Sequence, residues 1–114
     1  MRKLIVAIIL SMGVVTPVLA GEPIEGTWKR PSGTLIQYSS SGDGKFCGTV
    51  LNNEYKGKSI GCMSGSGADY KGSVNKLDEG KTYSGKAHVE GNSMKLSGCA
   101  LGGLICKSET LARQ

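Results

Sequence analysis

Short runs in which apolar and polar residues alternate recur along the chain after residue 20. The clearest is 82–90, where Tyr83, Gly85, Ala87 and Val89 alternate with polar residues. Strict alternation of this kind indicates an antiparallel strand with one buried face. No window places apolar residues at helical spacing over three turns, because glycine or serine interrupts nearly all of them. The pattern therefore predicts an all-β domain.

Similar runs, each bounded by turn residues, predict the remaining strands, and the serine- and glycine-rich stretch 64–68 between two of them predicts a flexible loop. The predicted strands cover 26–29, 34–39, 46–51, 59–63, 70–74, a run around Met94 and Leu96, and 107–113. Most connections have hairpin length, and closure removes exposed sheet edges. We therefore expect a small antiparallel barrel of the up-and-down (lipocalin-like) kind, with about seven to eight short strands. Such a barrel is filled by side chains or holds one small ligand.

Residues 1–20 have the three parts of a secretory signal peptide. Arg2 and Lys3 form a positive segment, 4–10 form an apolar segment, and 18–20 (VLA) form a peptidase site. The alternative is a membrane anchor, but serine, glycine, threonine and proline interrupt the stretch, which is shorter than the roughly 20 apolar residues of a span. We expect cleavage after Ala20, leaving 21–114 as a single periplasmic or secreted domain without a stable membrane span.

Cleavage would lower the formal net charge from +5 to +3, because Arg2 and Lys3 are removed. The remaining basic residues are scattered, and Lys56 with Lys58 is the nearest approach to a patch. A nucleic-acid-binding domain carries a basic stripe or face. We therefore expect no nucleic-acid partner.

The chain has one tryptophan, one phenylalanine and four tyrosines against 18 glycines, so its core is thin. Small exported domains with thin cores usually need cross-links. The four cysteines supply two disulfides, and of the three possible connectivities we favour the sequence-local Cys47–Cys62 and Cys99–Cys106. The alternative, a zinc site, lacks the paired short spacings of zinc ribbons. We expect no metal and no cofactor.

Several motifs along the chain resemble the domain of unknown function 2147 family of small exported bacterial proteins. In the C-terminal half these are 79–86 (EGKTYSGK), 94–99 (MKLSGC) and 102–108 (GGLICKS); in the N-terminal half they are 26–28 (GTW), 42–43 (GD) and 46–48 (FCG). The resemblance implies an envelope location and a compact β-rich fold, and it implies no activity.

Two positions depart from the pattern of that family. Its members often have a cysteine before the Gly-Asp turn, where this chain has Ser41, which makes Cys62 the natural replacement partner for Cys47. The family also tends to end in a strand with a tryptophan, and Leu111 stands at that position here.

No residue set predicts a catalytic site. His88 is the only histidine, and it shares the outer face of its strand with Glu90, but no third orienting group is visible in the sequence. The simpler interpretation is a solvated surface histidine, and we expect the protein not to be an enzyme.

Two groups of residues are candidates for contact with a ligand or partner. The first group is aromatic and consists of Trp28 and Tyr83. Together with Tyr38 and Tyr70, these residues either line a ligand cavity or, in the simpler interpretation, form the core. The second group is the disulfide-bracketed apolar loop 100–105, with Leu101, Leu104 and Ile105. It is either a contact surface for a partner or a tight crossover buried at a barrel end.

The function indicated is therefore a periplasmic or envelope binding or interaction module, whose partner is a protein or a small apolar ligand. The alternative is a secreted virulence effector or inhibitor that acts on a host or competitor protein. Fractionation separates the two, because a purely periplasmic pool would contradict a host-directed role.

Overall fold

The computed structural model describes residues 21–114, so the predicted signal peptide lies outside the described residues. Eight antiparallel strands form a closed barrel in sequence order, and β1 pairs with β8 to complete it. The strands are β1 (Gly26–Lys29), β2 (Leu35–Gly42), β3 (Lys45–Val50), β4 (Ser59–Ser66), β5 (Asp69–Lys76), β6 (Lys81–Glu90), β7 (Ser93–Ala100) and β8 (Ile105–Arg113). This confirms the predicted all-β, up-and-down barrel.

The interior is filled by the inward residues of the alternating runs. In β6, Gly85, Ala87 and Val89 are buried and Tyr83 is half-buried, as the alternation predicts. The core consists of Ile24, Trp28, Ile36, Tyr38, Phe46, Val50, Ile60, Met63, Tyr70, Ala87, Val89, Met94, Leu96 and Leu111. Burial of these side chains is the main source of stability in so small a domain.

The predicted flexible loop at 64–68 is wrong. Strand β4 continues to Ser66, and β5 begins at Asp69, so only the hairpin turn 67–68 connects them. A Cβ at Gly65 would overlap the carbonyl oxygen of Asp69, so glycine is needed here for the strands to approach closely. The composition of 64–68 is typical of a loop, but Gly65 allows two strands to pack closely.

Both disulfides connect neighbouring strands between residues that face each other directly. Cys47 of β3 pairs with Cys62 of β4, and Cys99 of β7 pairs with Cys106 of β8. These are the predicted pairs, and all four sulfur atoms are used. The last strand begins at Ile105, two residues earlier than predicted, because pairing continues past the Cys99–Cys106 bridge to Ala100 and Ile105.

The two ends of the barrel differ in how they are closed. The capped end is formed by 21–25, 43–44, 67–68 and 91–92, and the loop end by 30–34, 51–58, 77–80 and 101–104. Ile24 and Trp28 are fully buried near the capped end. Within residues 21–114, no helix is long and apolar enough to cross a membrane.

Candidate functional site

The loop end is covered less tightly than the capped end. Its apolar side chains Tyr55, Val74 and Leu77 are only half-buried against the core. At the same end, Arg30 follows β1 and donates a hydrogen bond through Nε to Glu109 of β8. The Arg30–Glu109 pair bridges the two strands beyond the last paired residues of β1, since β1 pairs with β8 only through Trp28 and Lys29.

Glu109 stands on the inward face of β8. It lies two residues before the buried Leu111, and the β7–β8 register is regular, so both residues face the interior. A carboxylate on this face requires a partner, and the Arg30 guanidinium supplies it. The pair places a charged, hydrogen-bonding group at the rim of the interior.

Tyr38 lies in the middle of β2, where it faces Gly26 of β1 and Gly48 of β3, and the charge of Arg30 at the loop end acts on its phenol. Its ring lies over Gly48 of β3, where a Cβ would come within 3.0 Å of the ring. The side chain is 1% exposed, and its Oη has no hydrogen-bond partner among the described residues. Burial raises the pKa of the Tyr38 phenol far above its usual value, and the positive charge of Arg30 opposes this only in part. The hydroxyl is therefore a protonated donor that is held in the interior without an acceptor.

Tyr70 offers a direct contrast. It is as buried as Tyr38, but its Oη donates a 2.7 Å hydrogen bond to the carbonyl oxygen of Gly67 near the capped end. Buried polar groups in folded proteins are almost always paired in this way. The unpaired hydroxyl of Tyr38 is therefore an exception among the buried side-chain polar atoms of the described residues.

Tyr83 and Gly98 line the interior beside the loop end. Tyr83 is half-buried, and its Oη donates a 2.9 Å hydrogen bond to Glu79, whose carboxylate raises the Tyr83 pKa. A Cβ at Gly98 would find its nearest neighbours, the Cβ atoms of Tyr83 and Val74, at 3.9 and 4.0 Å. These are ordinary contact distances, so a methyl group would fit at Gly98 without displacing a neighbour.

The structure places Trp28 and Tyr83, the two aromatic residues predicted to contact a ligand, in different parts of the barrel. Trp28 is fully buried near the capped end, where its Nε1 donates to the carbonyl oxygen of Ile24 and Arg113 lies over its ring at 4.2 Å. It is a core residue there and does not line the loop end. Of these two aromatic candidates, Tyr83 is the one that lies at the loop end, where Arg30 and Glu109 are paired.

The apolar loop is exposed. Leu101, Leu104 and Ile105 are 69%, 85% and 54% exposed, so the alternative of a buried crossover is wrong. A short 3₁₀ turn, Leu101–Gly103, carries the chain from β7 to β8. Because the Cys99–Cys106 bridge closes its base, this loop projects at the loop end as a fixed feature.

His88 has an orienting partner that the sequence does not reveal. Its Nδ1 lies 2.8 Å from Oδ1 of Asp69, the facing residue on β5, whereas its Nε2 lies 4.0 Å from Glu90. All three side chains are exposed on the outer wall. The arrangement is a surface ion pair, and no group of three or more potential metal-ligating side chains occurs anywhere in 21–114.

The hydrogen bond to Asp69 is expected to raise the pKa of His88 above its ordinary 6.5, with smaller contributions from the charges of Asp69 and Glu90. The stabilisation by this pair is therefore fully present below pH 6.5 and is lost as the pH rises through the raised value. An NMR titration of the imidazole protons measures this. Asp69→Asn should lower the pKa more than Glu90→Gln, and equal effects of the two substitutions would contradict the geometry.

Comparison with known proteins gives a family and a fold. The family described as "Uncharacterized protein conserved in bacteria (DUF2147)" matches residues 53–113. A solved structure described as "The structure of bradavidin2-biotin complex" superposes with a TM-score of 0.53 and 17% identity, covering 83% of this chain and 99% of that chain. No curated protein matches the chain. At this identity, the superposition shows a shared barrel fold alone.

Proposed function

Because the chain belongs to the DUF2147 family of uncharacterized bacterial proteins, whose description assigns no activity, we propose a function from its own geometry. The protein is a binding module that holds a small ligand at the loop end of its barrel. The single observation that carries this proposal is the buried, unpaired hydroxyl of Tyr38.

A buried hydroxyl without a partner destabilises a folded protein by about 1–3 kcal/mol. Phenylalanine would fill almost the same space without that cost. The presence of tyrosine at position 38 is explained if its hydroxyl donates to an acceptor that is not part of the chain. A ligand at the loop end would supply that acceptor.

The surroundings of Tyr38 define the chemical class of the ligand. Since burial keeps the phenol protonated, it can donate only to an acceptor such as a carbonyl or carboxylate oxygen. Arg30, whose charge acts on Tyr38, favours an acceptor with negative character. The half-buried Val74 and Tyr83 would contact the apolar or planar part of the molecule.

The interior limits the size of the ligand. Met63 occupies the middle of the barrel, where a Cβ at Gly85 would come within 2.7 Å of its Cε. The Tyr38 ring occupies the neighbouring space over Gly48. A ligand is therefore confined to the loop end, and a small molecule fits better than a long acyl chain. The bradavidin2 structure, which shares the barrel fold, is a complex with a small molecule, biotin, and this supports the size class.

The proposal places the protein outside the cytoplasm and gives it no catalytic step. Two disulfides between facing cysteines support an oxidising compartment. His88 is on the outer wall, and the carboxylate of Glu109 is held in its ion pair with Arg30. This arrangement suits binding.

Native mass spectrometry of protein purified from its own envelope tests the proposal. We expect the wild type to carry a small-molecule adduct that is lost under denaturing conditions. Tyr38→Phe, which removes only the donor, should lose the adduct. Tyr70→Phe is the matched control, because it removes an equally buried hydroxyl that is paired with Gly67, and it should retain the adduct.

A wild type that carries no adduct, or an adduct retained by Tyr38→Phe, would contradict the proposal. The same experiment distinguishes the protein-partner version, since a co-purifying protein would appear as a complex of larger mass. Thermal unfolding of each variant verifies that the loss of the adduct does not reflect loss of the fold.

A further inference from the structure

The apolar loop and a basic groove beside it form a second surface, on the outer wall and away from Tyr38. The groove has a volume of about 280 Å³ and is lined by Lys71, Gly72, Ser84, Gly85, Lys86, Cys99, Gly102 and Gly103. Gly102 and Gly103 belong to the same loop as Leu101 and Leu104. The basic and apolar parts are therefore continuous.

The lysines of this groove are unusually placed. Lys71 on β5 faces Lys86 directly on β6, and like charges at facing positions destabilise a sheet. Among the ion pairs within residues 21–114, none involves Lys71 or Lys86. The two lysines of the groove thus keep their charge available to an anion.

Three carboxylates at the same end are already engaged, and Glu54 of the 51–58 connection does not line the groove. Glu109 is paired with Arg30, and Lys76 is paired with both Asp78 and Glu79. They therefore do little to neutralise Lys71 and Lys86. The charge next to the apolar loop is positive.

We propose that this surface docks the protein on an anionic lipid bilayer, with Leu101, Leu104 and Ile105 inserted at the interface and Lys71 and Lys86 against the headgroups. Insertion of apolar side chains combined with attraction of lysines to anionic lipids is how interfacial proteins bind. Because the disulfide already orders the loop, little conformational freedom is lost on binding.

A lipid surface fits this patch better than a protein partner does. A stable protein interface buries about 800 Å² on each side, with aromatic or arginine anchors. Here the apolar part is three aliphatic side chains on one short loop, with lysines around it. Aliphatic insertion needs no matching pocket, whereas three leucine and isoleucine side chains alone are a poor protein interface.

Flotation of the mature domain with vesicles tests this surface. Vesicles of phosphatidylcholine alone are compared with vesicles of equal parts phosphatidylcholine and phosphatidylglycerol. We expect binding to the anionic vesicles that weakens as salt is raised, since exposed charges are screened, and little binding to the neutral ones. Leu104→Ser should weaken it about tenfold, because one leucine is no longer buried.

Charge variants locate the surface. Lys71→Gln with Lys86→Gln should weaken binding by at least several-fold. The matched control, Lys45→Gln with Lys95→Gln, removes the same charge from exposed strand positions that do not line the groove and should have little effect. Equal loss in both pairs would overturn the proposal, because it would reflect net charge alone.

Three further results would also overturn it: no difference between the two vesicle types, full binding by Leu104→Ser, or dimerisation of the wild type in sedimentation that Leu104→Ser abolishes. The last would assign the loop to a second copy of the chain. Because the Leu104 side chain is 85% exposed, Leu104→Ser should unfold at the wild-type temperature, and this measurement verifies the fold. A Tyr38→Phe variant should bind vesicles normally, which separates this surface from the ligand site.

Discussion

Replacing Trp28 by alanine is expected to lower the free energy of unfolding by about 3–5 kcal/mol. The side chain is fully buried, its Nε1 donates a 2.9 Å hydrogen bond to the carbonyl oxygen of Ile24, and the Arg113 guanidinium lies over its ring. Arg113 in turn donates to the carbonyl oxygens of Pro23 and Glu25. Removing the ring therefore leaves a cavity and releases the segment that closes the capped end.

The measurement is urea unfolding followed by far-UV circular dichroism, since the variant has no tryptophan for fluorescence. Trp28→Phe keeps an aromatic ring and loses the N–H donor, so it should destabilise by a smaller amount. Leu101→Ala, at an exposed position, is the control and should leave the midpoint unchanged. A Trp28→Ala variant as stable as the wild type would show that Trp28 does not close the barrel.

Reducing both disulfides is expected to lower the free energy of unfolding by about 5 kcal/mol, with roughly 2–3 kcal/mol from each bridge in the chain-entropy model. The bridges close segments with sequence separations of 15 and 7 residues. A small domain has a total stability of only about 5–15 kcal/mol. The fully reduced protein should therefore lose a third or more of its stability and unfold at a markedly lower temperature.

Thermal unfolding with and without a reducing phosphine measures this, with mass spectrometry to verify that four hydrogens have been gained. Removing Cys47–Cys62 by paired alanine substitutions should be slightly more destabilising than removing Cys99–Cys106, because it closes the longer segment. An unchanged unfolding temperature in fully reduced protein would mean that the apolar core alone stabilises the barrel.

The barrel follows from local patterns, which is why so much of it could be predicted. Alternation in 82–90 places three buried residues on one face, and hairpin-length connections leave few topologies besides the up-and-down one. The stretch 64–68 could not be predicted, because Gly65 and Ser66 extend β4 through pairing with β5. Only the register reveals that the glycine is required for close approach.

The candidate site depends on contacts between distant residues. Arg30 and Glu109 are 79 positions apart, and Glu109 breaks the apolar alternation of its strand. The sequence pattern therefore does not predict that these two residues form a pair. The same holds for Asp69, which meets His88 only through the β5–β6 register. The sequence does place Tyr38 among the aromatic residues of a core or cavity. That its hydroxyl has no partner is a property of the folded chain alone.

The free energy of unfolding of the ligand-free Tyr38→Phe variant tests the central claim most directly, because that claim is that the hydroxyl serves a ligand and not the fold. Tyr38→Phe is expected to be more stable than the wild type by about 1–3 kcal/mol, since an unpaired buried donor is removed. Tyr70→Phe, which loses its bond to Gly67, should be less stable by about 1 kcal/mol. A loss of stability in Tyr38→Phe similar to that in Tyr70→Phe would contradict the account, because the hydroxyl would then have its partner within the protein.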